Sequence, residues 1–347
     1  MPQRGRAGRI GGTLVALGVV LAVLCLLSAG LGQYEIPARD VLSSVTRRLG
    51  WSPVQPSLQL ADATLWNIRF PRIVLGVLVG AALGCAGAVM QAVFGNPLAE
   101  PGVIGISAGA AVGACLAIVL GLSFLGIFTV PLLAFVGAMV TTVVVYVLSR
   151  SDGRAGVITM ILTGIAVTAV ANAAIAFLVF VASPTDRDQI VFWQMGSLNG
   201  STWKAVFSAG PIILLGLVVG LVIAGRLNLL ALGDRAARHT GVDVEHLRIA
   251  AITSAALLTG AAVAYAGIIA FVGLIVPHVL RLALGPSNRV LLPASMLGGA
   301  VLIAASDLAA RTLVPFADLP IGIFTALVGG PTFFVLLRRT LRKGVSL

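Results

Sequence analysis

Charge is what this sequence most lacks. Of its 347 residues only 10% are Asp, Glu, Lys or Arg, against about a quarter in a soluble globular domain. So few charges cannot cover a globular surface in water. Lysine is almost missing. Lys204 and Lys343 are the only two, and neither sits in a GxxxxGK[ST] loop, so no P-loop is present. Cysteine is sparse as well. Cys25, Cys85 and Cys115 all fall inside apolar runs, without a CxxC or a Cys/His cluster, which removes a disulfide framework and a thiolate metal site. HExxH is absent. Charged residues deep within the apolar runs are also lacking, whereas proton-coupled carriers keep a buried Asp, Glu or His relay. An enzyme and an ion-driven carrier are therefore disfavoured.

What is present is apolar. Hydrophobic residues make up 59% of the chain, with a mean hydropathy of +1.07. The runs approach the roughly 20 residues that span a bilayer as helix, and backbone in lipid must satisfy its own hydrogen bonds. They do not alternate polar and apolar residues, as the strands of a membrane barrel would. We expect an all-α polytopic membrane protein with spans at 11–32, 70–94, 102–121, 125–148, 156–182, 203–224, 248–267, 268–284, 291–312 and 321–340. The tract 248–284 reads either as two short spans or as one span plus a re-entrant helix. The run from Ile10 to Leu31 follows Arg4, Arg6 and Arg9; it is long for a signal-peptide core and lacks a clear cleavage site, so we take it as the first span.

Basic residues favour the cytoplasmic side. With the N-terminus inside and ten alternating spans, 15 of the 23 Lys and Arg fall in cytoplasmic segments. Both termini are then cytoplasmic. A single crossing over 248–284 would put the basic cluster at 338–343 outside. The net charge of +11 thus reads as topology, not as nucleic-acid binding. Arg69, Arg72 and Arg311, at outer ends of spans, are left unexplained by topology. Asp307, one turn before Arg311, offers an i,i+4 partner. The outer segment around Arg39, Arg47 and Arg48 suits a short amphipathic helix at the outer interface.

The inner loop 225–247 carries acidic and basic residues and an apolar face. Leu229 to His239 suits a short helix, Gly241 its C-terminal cap, and Asp243 the cap of a second short helix. It is either a solvated connector or a docking element for a cytoplasmic partner. The histidines, His239, His246 and His278, read as structural. Gly105, Gly109 and Gly113 form a ladder that lets helices approach closely. Gln91, Ser107, Thr163 and Asn172, with Met90 beside the first, either line a pathway or bond neighbouring helices.

Eight motifs in order carry a family resemblance: Arg69-Phe70-Pro71-Arg72, Gly87 to Gln91, Asn96 to Gly102, Gly105 to Ala110, Trp193 to Leu198, Leu232 to Ala237, Phe271 to His278, and Asp318 to Gly322. Together they resemble the FecCD/BtuC-type permeases of type II ABC importers, which move iron-siderophores, haem or vitamin B12. The resemblance implies the type II ABC importer permease fold, with one transmembrane domain over 1–347 and ten helices, in the bacterial cytoplasmic (inner) membrane. It implies a second permease subunit, taken as an identical copy, two cytoplasmic ATP-binding subunits and an extracytoplasmic substrate-binding protein. No cofactor is expected on this chain; ATP is used by the partner ATPase. Arg69, Arg72 and Arg311 match the family's outer docking arginines. Asn96, Pro97 and Leu98 match its cytoplasmic gate. Leu232, Gly233, Asp234, Ala236, Ala237 and Gly241, within 229–247, match its coupling helices. A ferric siderophore is the expected substrate, with haem or cobalamin as alternatives. An ion-coupled carrier and a membrane scaffold are the readings from other classes.

Overall fold

The computed structural model describes residues 3–51, 53, 56–151, 154–231, 233–314 and 317–342. In chain order the helices are α1 (Gln3–Gly30), α2 (Ala38–Arg48), α3 (Gln59–Thr64), α4 (Phe70–Phe94), α5 (Ile106–Val119), α6 (Thr129–Leu148), α7 (Val157–Val181), α8 (Pro184–Met195), α9 (Trp203–Leu230), α10 (Asp234–His239), α11 (Val244–Ala266), α12 (Val272–Leu284), α13 (Asn288–Thr312) and α14 (Ile321–Arg342). Strand pairing among the described residues is one two-residue antiparallel ladder, Arg150–Ser151 with Arg154–Ala155.

Among the described residues, seven helical stretches are long and apolar enough to cross a membrane, and three shorter apolar helices, Ile106–Val119, Val272–Leu284 and Ile321–Val335, bring the apolar helices to the expected ten. The tract 248–284 is two helices. The chain leaves α11 through Gly267 at φ 69° and enters α12 through Phe271, also at φ 69°. That left-handed geometry is free for glycine and unusual for phenylalanine. The expected span 102–121 is shorter as helix. A 3₁₀ turn at Pro101–Ile104 leads into α5, whose 14 residues reach only about 21 Å.

Hydrogen bonds fix the two ends of the bundle. At one end Arg9 reaches the Ala283 carbonyl, Tyr146 bonds Glu245, and Asn228 Oδ1 accepts from the Asn288 N–H at 2.8 Å. At the other, Arg69 reaches the Ala29 and Gly30 carbonyls, and the Trp203 indole donates to the Trp66 carbonyl at 2.7 Å. The first end collects the basic inner segments and is cytoplasmic by charge.

α4 is the central helix. It packs against α13, α11, α9 and α12, and from Leu83 to Phe94 every residue is buried. Small residues make this possible. A Cβ on Gly84 would lie 2.1 Å from the Ser295 carbonyl oxygen, and one on Gly87 would lie 1.8 Å from that of Gly273. The expected glycine ladder packs α5 on α6, where Gly109 meets Gly137 and Gly113 meets Leu133.

Two outer helices sit beside the bundle. α2 is the expected amphipathic helix; Arg47 on it makes paired bonds of 2.6 and 2.9 Å to Asp62 on α3. α8 lies in a segment read from the sequence as outer loop. Ser183 caps it, accepting from the Asp186 N–H at 3.2 Å.

Candidate functional site: an outer arginine cluster and an inner turn

The Arg69-Phe70-Pro71-Arg72 motif opens α4, with Pro71 in the first turn. A π-helical turn, Leu65–Arg69, precedes it. Arg69 and Arg72 thereby meet Arg311 from the end of α13 around one cavity of about 510 Å³, which Tyr34, Thr64 and Asp318 also line. The three arginines expected to act together do converge. Their guanidinium groups are nonetheless engaged by this chain. Arg69, 4% exposed, donates to the carbonyls of Ala29, Gly30 and Tyr34. Arg72, 7% exposed, pairs with Asp307 at 2.8 Å and Asp318 at 3.1 Å. Arg311 donates to Ser28.

Asp307 was expected to pair with Arg311. It stands 3.7 Å from Arg311 and 2.8 Å from Arg72, so the stronger bond runs between helices, α13 to α4. Sequence spacing sees only the neighbour on the same helix. Asp318 was missed as a partner, although it begins a quoted motif and acidic residues number only 12 in the chain.

Three non-helical segments meet beside this cluster. The Ser197 N–H donates to the Ala266 carbonyl at 2.8 Å, and the Ile321 N–H to the Gly196 carbonyl at 2.9 Å. Gly196, Gly267 and Gly322 let the backbones touch: a Cβ on Gly267 would lie 2.1 Å from the Trp193 oxygen, and one on Gly322 2.2 Å from the Met195 oxygen. Three segments far apart in sequence are thus one knot of backbone, in which the Ala266 and Gly196 carbonyls find N–H partners outside their own helices.

At the cytoplasmic end, Gly95 closes α4 at φ 60° and the chain turns through Asn96-Pro97-Leu98. The Asn96 carboxamide accepts the Leu98 N–H at 2.8 Å. The turn is held to α12. His278 Nδ1 bonds the Pro97 carbonyl at 3.2 Å, and Gln91 Nε2 donates to the Leu274 carbonyl at 3.0 Å. Burial pushes the nearby Glu100 carboxyl up from its ordinary pKa. Between this turn, the end of α9 and the start of α13 lies a cavity of about 400 Å³, with Arg281, Asn228 and Asn288 on its wall.

The expected pathway residues separate. Met90 is fully buried and Gln91 is 2% exposed. From Leu83 to Phe94 α4 is covered on all sides, so Met90 lies inside the subunit, and Gln91 reaches the edge of the inner cavity. Ser107 and Thr163 are half-buried on α5 and α7, and Asn172 is exposed on α7.

In the inner loop, Leu232 lies outside the described residues. Gly233 at φ 87° and Gly241 at φ 82° bracket α10, on which Ala237 is buried and Ala236 exposed. Asp243 caps a helix as expected, accepting from Glu245 and His246 N–H at 3.0 and 3.1 Å. That helix is the membrane helix α11, so the second short helix expected here does not exist separately. The His246 N–H and ring hold the Asp243 carboxyl below the ordinary carboxylate pKa. Arg248 donates to the Ala155 carbonyl at 2.7 Å and Glu245 bonds Tyr146, so the base of α11 is braced against α6 and the segment before α7.

Residues 20–339 match the model of the FecCD transport family. The chain is 38% identical to the hemin transport system permease protein HmuU of Yersinia pestis, over 92% of this chain and 93% of that one. It is 39% identical to the cobalamin import system permease protein BtuC of Halobacterium salinarum, over 93% and 95%. A solved structure described as a metal-chelate type ABC transporter in an inward-facing conformation superposes with a TM-score of 0.82 at 32% identity, covering 94% of this chain and 98% of that one.

Proposed function

This chain belongs to the FecCD transport family and is a multi-pass inner-membrane permease of a type II ABC importer, and from that premise we propose that it passes a bulky metal chelate through a pathway it forms with a second copy of itself. Two cytoplasmic ATPase subunits would supply the energy and an extracytoplasmic binding protein the cargo. The observation that carries the reading is the joint presence of an outer arginine cluster and an inner loop whose short helix is bracketed by left-handed glycines. A ferric siderophore is the substrate the sequence resemblance suggests first. Relatives named for hemin and cobalamin favour those two chelates equally. Uptake into vesicles, assayed with each of the three, identifies the cargo; uptake that persists without the ATPase subunit removes the proposal.

Docking is assigned to Arg69, Arg72 and Arg311. Because internal groups already hold them, an acidic partner must compete with Asp318 and the backbone carbonyls. Arg69→Glu or Arg311→Glu is expected to weaken binding-protein docking and steepen its salt dependence. Docking unchanged at low salt in both, with the fold intact, rules the role out. Asn96, Pro97 and Leu98 are assigned to the cytoplasmic gate, which α12 would operate through His278.

Coupling is assigned to α10 and its flanks, Gly233, Asp234, Ala236, Ala237 and Gly241. Proline cannot adopt the positive φ of Gly241, being fixed near −65°. Gly241→Pro is therefore expected to leave ATP hydrolysis running while transport falls at least about tenfold, a barrier change of about 1.4 kcal/mol. Coupled transport at the original rate would make the loop a connector.

A further inference from the structure

Helix α2 has two faces, and only one is used within the chain. Val41, Ser44 and Arg47 are buried, Arg47 on Asp62 and Ser44 accepting the Trp66 indole N–H at 3.1 Å. The other face carries Leu42 (61% exposed), Val45 (37%) and Leu49 (55%), and the chain continues to Trp51 (77%). Positions 42, 45 and 49 form one stripe along the helix. On a helix turning about 100° per residue, Arg39 and Arg48 fall roughly a quarter-turn to either side of it.

A water-facing helix would not present such a stripe, and flanking arginines are the pattern of a helix lying in a membrane boundary. Position supports the same partner. Arg48 stacks 5.4 Å over Trp66. Trp66 packs on Phe70 and Trp203, and Trp203 on Phe207, which is 71% exposed. The end of α2 is thus continuous with an aromatic cluster at the outer ends of α4 and α9, where tryptophan is enriched at membrane–water interfaces.

We propose that α2 lies in the outer lipid boundary, with Leu42, Val45, Leu49 and Trp51 in the acyl layer and Arg39 and Arg48 at lipid phosphates. The partner is a phospholipid surface. Ser44 and Arg47 connect α2 to Trp66 and Asp62, just before α4, so this anchor holds the segment that leads into Arg69 and Arg72.

The test uses the full chain in phospholipid nanodiscs, with nitroxide labels placed singly at Leu42→Cys, Leu49→Cys and Glu35→Cys after Cys25, Cys85 and Cys115 are replaced by alanine. Labels at 42 and 49 are expected to collide more with oxygen than with a water-soluble nickel chelate, and the label at 35 the reverse. A second reading uses Trp51 unlabelled: brominated lipid should quench a fluorescence component that is lost in Trp51→Phe. Nickel accessibility at 42 and 49 equal to that at 35 overturns the proposal. So does shielding of 42 and 49 only when the binding protein is added, which would make the stripe a protein-docking face.

Discussion

Replacing Arg72 by leucine is expected to destabilise the folded chain by about 3–5 kcal/mol, the usual cost of removing one partner from a buried ion pair. The Asp307 side chain is only 4% exposed, so water cannot compensate it, and its remaining cation, Arg311, is 3.7 Å away. Asp318 differs. Its side chain is 30% exposed and can rehydrate, so Asp318→Asn should cost clearly less, about 1 kcal/mol or below. Unfolding of the purified chain in mixed micelles gives the order: Arg72→Leu and Asp307→Leu together at the top, Asp318→Asn well below. If all three fall within about 0.5 kcal/mol of one another, the limit of additive error, burial is not what sets the strength of this cluster.

Gly87→Ala is expected to be as damaging despite adding one methyl group. Alanine is favoured over glycine in a helix by about 1 kcal/mol, so intrinsic propensity predicts stabilisation. Packing predicts the opposite. The new Cβ would lie 1.8 Å from the Gly273 carbonyl oxygen and 2.5 Å from its Cα, both backbone atoms that no rotamer change can move. α12 would have to back away from α4, at a cost at or above the 1–3 kcal/mol typical of overpacking. Gly210 is the internal control, since its nearest neighbour would be 3.9 Å away. Gly210→Ala should accumulate in the membrane as the parent does, while Gly87→Ala should be depleted. Equal accumulation and equal unfolding midpoints would refute close packing as the reason for glycine at 87.

These particulars show what was legible in the chain. Spans were readable because lipid forces one local rule on every segment: a long apolar run must be helix. Topology was readable from where arginine falls. The break inside 248–284 was visible as two alternatives, and its resolution needed tertiary structure, because the non-helical backbone around Ile268 packs against Gly196 and Gly322 from elsewhere. α8 escaped because it is too short and too polar to register as a span, yet Ser183 before Pro184, with Asp186 behind, is a helix-start signal. Arg69, Arg72 and Arg311 were found from their position. Their partners were not, since Asp307 and Asp318 lie more than 200 residues from Arg72 in the sequence. Met90 and Gln91 sit on a helix apolar all round, so nothing local distinguished a wall from an interior.

The glycine contacts between α4 and α13 have a mechanical meaning. Gly80, Gly84 and Gly299 bring backbone against backbone, with no side chains between them to re-sort into a second arrangement. Two rods locked in this way translate and tilt as a rigid body. Any alternation between outward and inward access must then flex elsewhere. Two links without a helix ladder and outside such backbone contacts are the Asn96-Pro97-Leu98 turn after Gly95 and the Gly241 joint at the foot of α11.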